Sequence, residues 1–338
     1  MTKREKPPAP AMPPAPPVQT TGADEELRVG VSMCLLGEQV RYDGGHKRHH
    51  YVCDVLGRYF NFVPVCPEVE LGLGTPRETL RLVRDGDSIR MIAPASGTDH
   101  TRAMTQYAER RARQLATLDL DGYVLKRDSP SCGMDRVRAY TTAGMPSPST
   151  RGLFADALMN ALPLLPIEEE GRLGDATLRE SFVERVFAHN RLRRLFRGRW
   201  TTRDLIEFQA AEKYLLMAHS PQAQRELGRL VADAKHCSRS DLAAQYRDGF
   251  MSAIRRPIPK RRHVNVLHHL LGFFKRELGD DEKRELVEAI DDFADGRTPL
   301  LVPLTLIRHH IRRNGLEYLA VQSYLSPHPK ELMLRNHV

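Results

Sequence analysis

The hydrophobic period of this chain changes once, near Asp175, and that change restricts the fold more than any motif does. From Leu27 to about Gly174 short apolar runs of strand length alternate with helical patterns. Beyond Asp175 the strand-like runs stop and apolar residues recur at helical spacing almost to the end. Strands are expected at 27–33, 60–66, 88–93 and 121–126, with a weaker one at 162–167 that Pro163 and Pro166 interrupt. Helices are expected from an N-cap at Thr98 or Asp99 through Leu115, and from Ser149 to Ala161. This alternation implies an α/β N-terminal domain with a mainly parallel sheet and helices on both faces, followed by an all-α C-terminal domain. The helices of the second part are expected at 177–195, 202–219, 221–235, 239–254, 262–278, 281–294, 303–313 and 315–324. The expected organisation is a Pro-rich tail at 1–26, an α/β domain at 27–174, a helical connector at 175–199 and an all-α domain at 200–338. The tail, with Pro7-Pro8-Ala9-Pro10 and Pro13-Pro14-Ala15-Pro16-Pro17, has too few bulky apolar residues to offset chain entropy and reads as disordered.

A chain of 338 residues can bury two cores. Its five cysteines are too sparse for a disulfide scaffold. No leader resembles a signal peptide, and no apolar stretch approaches the roughly 20 residues that span a bilayer. A cytoplasmic protein that does not enter a membrane is therefore expected. The formal net charge of +8 favours a polyanionic partner, because Lys and Arg gain affinity by releasing counterions from phosphates.

Three cysteines carry the chemistry of the first domain. Cys34, Cys66 and Cys132 each lie at or just beyond the end of an apolar run and are followed at once by turn-forming or helix-starting residues. In an open α/β sheet the carboxyl ends of the strands converge on one crevice, so thiols far apart in sequence can meet there. Three thiolates without a fourth partner suit a metal centre with one open position. Two other readings stay open at this point: a lone thiol nucleophile, and buried cysteines with no chemical role. The loops after the first two cysteines hold Arg41-Tyr42-Asp43-Gly44-Gly45 and Gly72-Leu73-Gly74-Thr75-Pro76-Arg77. Their glycines let the backbone approach a ligand that Asp43 and Arg77 can contact. They match neither the Walker pattern nor the dinucleotide fingerprint, and no dinucleotide cofactor is expected. In Ser129-Pro130-Ser131-Cys132-Gly133, two hydroxyls stand beside a thiol braced by Pro and Gly, which places a proton donor such as Ser131 near it.

In the second domain Arg255, Arg256, Lys260, Arg261, Arg262 and Lys275 fall in a stretch with no acidic residue, interleaved with histidines and two phenylalanines. Such a stretch can neutralise phosphates, and RNA is the expected partner. Phe273 and Phe274 are expected to face the core instead. Arg308 and Arg312 continue the basic surface, and the adjacent His309 and His310 are not expected to bind metal.

Ser32-Met33-Cys34-Leu35-Leu36-Gly37 with Arg41-Tyr42-Asp43-Gly44, then Val65-Cys66-Pro67-Glu68, then Ser129-Pro130-Ser131-Cys132-Gly133, resemble in order the three motifs of the thiouracil desulfidase (TudS) family. The resemblance runs from about 27 to 172. It implies a 4Fe-4S cluster held by Cys34, Cys66 and Cys132, with one iron open. It also implies that Ser129 and Glu68 serve the reaction, with Ser131 and Glu70 as their nearest competitors. Cys53 and Cys237 fall outside the motifs and read as structural. A thiophilic open iron is expected to take the exocyclic sulfur of a thiopyrimidine while water replaces it on the ring, without net redox change. Lys213-Tyr214-Leu215-Leu216-Met217-Ala218-His219, the run from His263 to Lys275 and Tyr324-Leu325-Ser326-Pro327-His328-Pro329 resemble the YbgA-type domain of unknown function. Gln209 and Glu212 stand where that family is expected to carry histidines. The combination is similar to RudS-type tRNA 4-thiouridine desulfidases, which implies tRNA containing 4-thiouridine as substrate and a helical domain that helps to bind it. A desulfidase of free thiopyrimidines and a non-catalytic iron–sulfur RNA sensor are the alternatives.

Overall fold

The computed structural model describes residues 27–336, so the tail expected at 1–26 lies outside the described residues. The first part runs β1 (Leu27–Ser32), β2 (Phe60–Val65), α1 (Pro67–Glu70), β3 (Arg81–Asp85), β4 (Ser88–Ile92), α2 (Thr101–Ala116), β5 (Gly122–Leu125), β6 (Val137–Thr141), β7 (Pro146–Thr150), α3 (Leu153–Ala161) and β8 (Ile167–Glu169). Strands β1, β2, β5 and β8 form an all-parallel sheet in the order β2-β1-β5-β8. The α/β first half and the helical second half agree with the change of period in the sequence.

Alternation along the strands explains how both sheet faces are covered. Tyr123 and Leu125 of β5 pack with Tyr107 of α2 and Phe154 and Leu158 of α3, whereas Val124 joins Val29 and Val31 of β1 on the opposite face. All four β5 residues are buried, as expected for a central strand with both faces covered. Gly30 is required on the Tyr123 side, because a Cβ there would stand 2.1 Å from the ring.

Several details differ from the sequence expectation. Strand β4 is not in the parallel sheet; β3, β4, β6 and β7 form a second sheet in the order β4-β3-β6-β7, with antiparallel pairs at both ends. Runs such as Arg-Leu-Val-Arg-Asp in β3 and Val-Arg-Ala-Tyr-Thr in β6 are half exposed and charged, so they lack the continuous apolar signal of buried strands. The helix expected from Ser149 starts at Leu153, because residues 146–150 pair with β6. The strand expected at 162–167 is displaced to β8, beyond the two prolines that lack an N–H for the ladder. The long helix of this domain starts at Thr101, and Asp99 accepts the Thr101 N–H at 2.8 Å from just outside it.

The second part contains α4 (Ala176–Leu195), α5 (Thr202–Ala211), α6 (Lys213–His219), α7 (Pro221–Ala232), α8 (Arg239–Ala253), α9 (Lys260–Leu271), α10 (Asp280–Ala294), α11 (Leu301–Asn314) and α12 (Glu317–Ala320). The helix expected at 202–219 is two, interrupted at Glu212, whose carboxylate takes Arg191 at 2.6 Å and the Ser323 hydroxyl at 2.5 Å. Helix α9 ends at Leu271 and gives way to a 3-10 turn through Phe274. Phe274 is buried as expected, but Phe273 is 40% exposed and stacks on Tyr318 with ring centroids 5.8 Å apart. Adjacent helical positions point in different directions, so both rings cannot enter one core. Among the described residues no helix is long and apolar enough to cross a membrane.

Helix α4 belongs to both cores. Its Phe182, Val183 and Val186 pack on the parallel sheet, while Ala188 and Leu192 join the helical core. Leu332 and Leu334 return to the sheet core from the far end of the chain. Beside them Arg335, 5% exposed, donates to Glu180 at 3.0 Å, Glu184 at 3.3 Å and the Tyr324 carbonyl at 2.5 Å. His219 Nε2 reaches the other Glu184 oxygen at 2.8 Å, and His263 Nδ1 meets the Tyr324 hydroxyl at 2.9 Å.

This joint makes stability depend on pH. Burial, with Arg335 adding to it, pulls His263 down to about 3 and His328 to about 4. An unfolded imidazole takes up its proton near 6.5, so below that pH the unfolded chain binds more protons than the folded one. Stability is therefore fully present above about 6.5 and declines towards the folded values, by roughly 1 kcal/mol per histidine for each pH unit. Chemical denaturation at pH 7 and pH 5 checks this; equal stability at both would show that the two rings do not carry the effect.

Candidate active site

Register sets the site. Ser32 pairs with Val65 and Val31 with Val124, so β1, β2 and β5 end at one level. The chain leaves β1 for β2 on one side and later fills the other side with β5, which makes the end of β1 a switch point where a crevice opens. A cavity of about 390 Å³ lies there, and Cys34, Cys66 and Cys132 all line it. Glu68, Arg77 and Ser129 line it as well, with Arg41, Lys126 and Arg127.

Each thiol is placed by local structure. Cys34 sits in the 3-10 turn that follows β1, and its carbonyl accepts the Lys47 and Gly37 N–H groups. Cys66 is the N-cap residue of α1, which Pro67 opens, and its Sγ stands 3.5 Å from Glu68 Oε2. Cys132 lies in a loop braced from below by Gly152, where a Cβ would be 2.4 Å from the Ser131 carbonyl oxygen. Burial raises the thiols to about 11 for Cys34, about 12 for Cys66 and well above the ordinary range for Cys132. Lys126 and Arg41 oppose the rise at Cys34, Arg77 opposes it at Cys66, and the Glu68 charge adds to all three. A metal that binds here displaces the thiol protons.

The carboxylate and the hydroxyls form one chain. Ser131 Oγ donates to Glu68 Oε1 at 2.5 Å and lies 3.5 Å from Cys132 Sγ. Ser129 Oγ is 3.0 Å from Ser131 Oγ and accepts the Cys132 N–H at 3.1 Å. Arg77 is locked by hydrogen bonds to the Val40 and Gly74 carbonyls, both 3.0 Å, with its Nη2 3.9 Å from Glu68 Oε2. Glu70 turns elsewhere: Tyr107 donates to it at 2.7 Å and Arg111 stands 3.0 Å away.

Two residues expected at the substrate lie off the cavity wall. Ser131 is fully buried behind Glu68, so it positions that carboxylate. Asp43 is not among the lining residues; its Oδ1 accepts the Gly45 N–H at 3.1 Å and closes the turn. Lys126 and Arg127, which no motif singled out, enter the wall where β5 ends. Glu170 holds them, accepting from Lys126 Nζ at 2.5 Å and from the Arg127 N–H at 2.7 Å. The available signal was a run of charge directly after a buried strand. Cys53 donates to the Leu35 carbonyl at 3.2 Å, and Cys237 packs against the helical core.

The basic residues of the second part divide. Arg255, Arg256, Lys260, Arg261, Lys275 and Arg312 are exposed, and Arg262 is half-buried. Arg308 is half-buried, and its guanidinium also bonds within the fold, to the Leu304 and Leu325 carbonyls at 3.3 Å each. His310 is buried against Phe274. Gln209 accepts from the Tyr246 hydroxyl at 2.6 Å and, like Glu212, is a buried packing element of this chain.

Among the described residues, no three His, Cys, Asp or Glu side chains converge closely enough to hold a single metal ion. Three thiols spread around one cavity suit a cluster instead, in which each thiolate would take its own metal atom. The donors fit such a group, with Cys34, Cys66 and Cys132 as the residues that would hold it.

Fold and site together define an α/β domain with three thiols around one cavity at its strand ends, followed by a helical domain. Residues 29–170 match the family model described as 2-thiouracil desulfurase, and residues 213–329 match a model described as protein of unknown function DUF1722. The chain belongs to the family of the uncharacterized protein YbgA of Escherichia coli (strain K12), with which it is 32% identical over 46% of its own length and 94% of that protein's. It carries a TudS-like desulfidase domain fused to the YbgA-type domain. The uncharacterized protein YbbK of Bacillus subtilis (strain 168) is 29% identical over 34% of this chain and 78% of its own. A solved structure described as a [4Fe-4S]-dependent thiouracil desulfidase, TudS, is 30% identical over 46% of this chain and 99% of its own, with a TM-score of 0.36.

Proposed function

We propose that this chain is an iron–sulfur-dependent desulfidase that converts 4-thiouridine in tRNA to uridine and releases sulfide. The observation that carries the reading is one cavity at the strand ends, where three thiols, Glu68 and Ser129 share the wall with five cations, Arg41, Lys47, Arg77, Lys126 and Arg127. Cys34, Cys66 and Cys132 would hold the cluster, which would supply a thiophilic Lewis acid for the exocyclic sulfur. The overall change is exchange of a thiocarbonyl sulfur for a water oxygen, with two protons leaving on the sulfide and no change of oxidation state. The protein's own groups manage those protons. Glu68 is the general base for water, held by the Ser131 hydroxyl at 2.5 Å, and Ser129 presents its hydroxyl at the wall as the proton partner of the ring. Arg77 faces the other Glu68 oxygen at 3.9 Å, and Lys126 and Arg41 favour the Cys34 thiolate.

The test is anaerobic incubation of reconstituted full-length protein with bulk tRNA containing 4-thiouridine, following loss of the thiobase's near-ultraviolet absorbance and release of sulfide. Turnover on tRNA supports the reading. Turnover on free thiopyrimidines alone moves the substrate to the free base. Tight RNA binding that depends on the cluster, without sulfide, makes the protein a sensor. Within the enzyme, Glu68→Gln is expected to keep its iron and lose about 10²- to 10⁴-fold in turnover, the usual contribution of a positioned base. Full activity in that variant assigns the proton to another group.

A further inference from the structure

A second cleft, of about 560 Å³, is lined from both halves of the chain, and its Met134 and Asp135 belong to the same loop as Ser129 and Cys132 of the thiol cavity. Its wall brings together Arg151 and Arg172 from the first half, Arg185 from α4 and Arg255 from just after α8. Two carboxylates share the wall. Glu168 is paired with Arg172 at 2.6 Å, and Asp135 lies 3.9 Å from Arg136. Arg151 is taken by Asp156 at 3.3 Å. Among the described residues, neither Arg185 nor Arg255 has a carboxylate within ion-pair distance; the Arg185 side chain makes one hydrogen bond, from Nε to the Ser181 carbonyl at 3.3 Å.

A largely buried guanidinium without a counter-ion is costly, since arginine stays charged and burial removes its water. Burial indeed pulls Arg185 below its ordinary value, Glu168 opposing this and Arg172 and Arg255 adding to it. An anion with several oxygens can engage both unpaired guanidiniums and restore the balance. The cleft also adjoins the reacting centre, because Met134 and Asp135 on its wall follow Cys132 by two and three residues. Lys126 and Arg127, just before the same loop, line the thiol cavity.

We infer that this interdomain cleft binds phosphodiester groups of the RNA strand that flank the nucleotide placed in the thiol cavity. The inference rests on the tRNA reading above and adds a site shared by both domains, with Arg185 and Arg255 as the phosphate contacts. Two domains that grip one strand fix the distance between the held phosphate and the reacting base, which a surface patch on the helices alone does not.

The experiment is binding of full-length protein to a fluorescent tRNA transcript without thiolated bases, by anisotropy across a salt series, for wild type, Arg185→Gln, Arg255→Gln and Arg284→Gln. Arg284 lies on α10 and controls for the loss of one positive charge. Each cleft variant is expected to bind about five- to tenfold more weakly and to lower the salt slope by about 1, while Arg284→Gln does neither. Unchanged affinity and slope in the cleft variants, an equal loss in Arg284→Gln, or no binding by wild type overturns the inference. Arg255 is exposed, so Arg255→Gln decides the matter if the thermal midpoint shows that Arg185→Gln is unfolded. Sulfide release from thiolated tRNA is measured separately. Release with unchanged cleft variants rejects the cleft and keeps the desulfidase; binding through the cleft without release does the reverse.

Discussion

Alanine at Cys34, Cys66 or Cys132 is expected to abolish stoichiometric iron after anaerobic reconstitution, and alanine at Cys53 or Cys237 is expected to leave it in place. The three lining thiols are the soft donors of the cavity, whereas Cys53 is turned to a backbone carbonyl and Cys237 to the helical core. Turnover in the three variants is expected to drop by more than about 100-fold, since loss of even a partner that only orients a ligand costs ~10–100-fold. Iron content and the visible absorbance of the reconstituted protein provide a readout independent of substrate. Unaltered iron in any one of the three variants removes that cysteine from the set. Full sulfide release by iron-free protein removes the cluster from the reaction. A thiol nucleophile predicts a different pattern, in which one substitution eliminates activity and the other two leave it intact.

The largest effect on stability is expected at Arg335. Its guanidinium, 5% exposed, joins Glu180 and Glu184 of α4 to the Tyr324 carbonyl, and so ties the end of the chain to the helix that both cores share. Arg335→Ala leaves two buried carboxylates without their cation, which costs on the order of 3–5 kcal/mol. Glu184 is held well below the ordinary carboxylate range despite its burial, by His219 first and Arg335 after it, while Glu180 is shifted upward by burial. Loss of Arg335 is therefore relieved in part by protonation, so the defect is expected to be smaller at pH 5 than at pH 7 once the histidine effect is measured in the same series. Denaturant titration of both proteins at the two pH values checks this. A loss below about 1 kcal/mol at pH 7 would class the group with surface ion pairs. The same joint advises against testing RNA binding by deleting the helical half, because Leu332 and Leu334 would leave the sheet core exposed.

Much of the first domain was legible because buried parallel strands are continuous apolar runs and their ends carry the chemistry. β1, β2 and β5 lie within one or two residues of their expected bounds, and the three thiols that follow them line one cavity. Of the second sheet only β4 was legible, as the strand expected at 88–93; β3, β6 and β7 are largely exposed or half exposed and resemble ordinary surface segments. Serine roles were also beyond reach. Ser129 and Ser131 are two residues apart in one motif, and only packing shows that the first faces the cavity while the second is buried against Glu68. Arg308 reads as part of a basic surface, and only the packed structure shows its donors also reaching the Leu304 and Leu325 carbonyls.

The sequence by itself determined the class of fold, the family and the residue types of the site, because periodicity and motif spacing are local properties that survive in one dimension. Tertiary structure decided which of those residues share a wall and which partner each side chain takes. Level strand ends carry Cys34, Cys66 and Cys132 to one cavity, and the return of the chain end puts Arg335 against α4. Arg185 and Arg255 are seventy residues apart, and only the docking of the helical half onto α4 places them on one cleft. Such contacts depend on burial and register across the whole chain, so no window of neighbouring residues contains them.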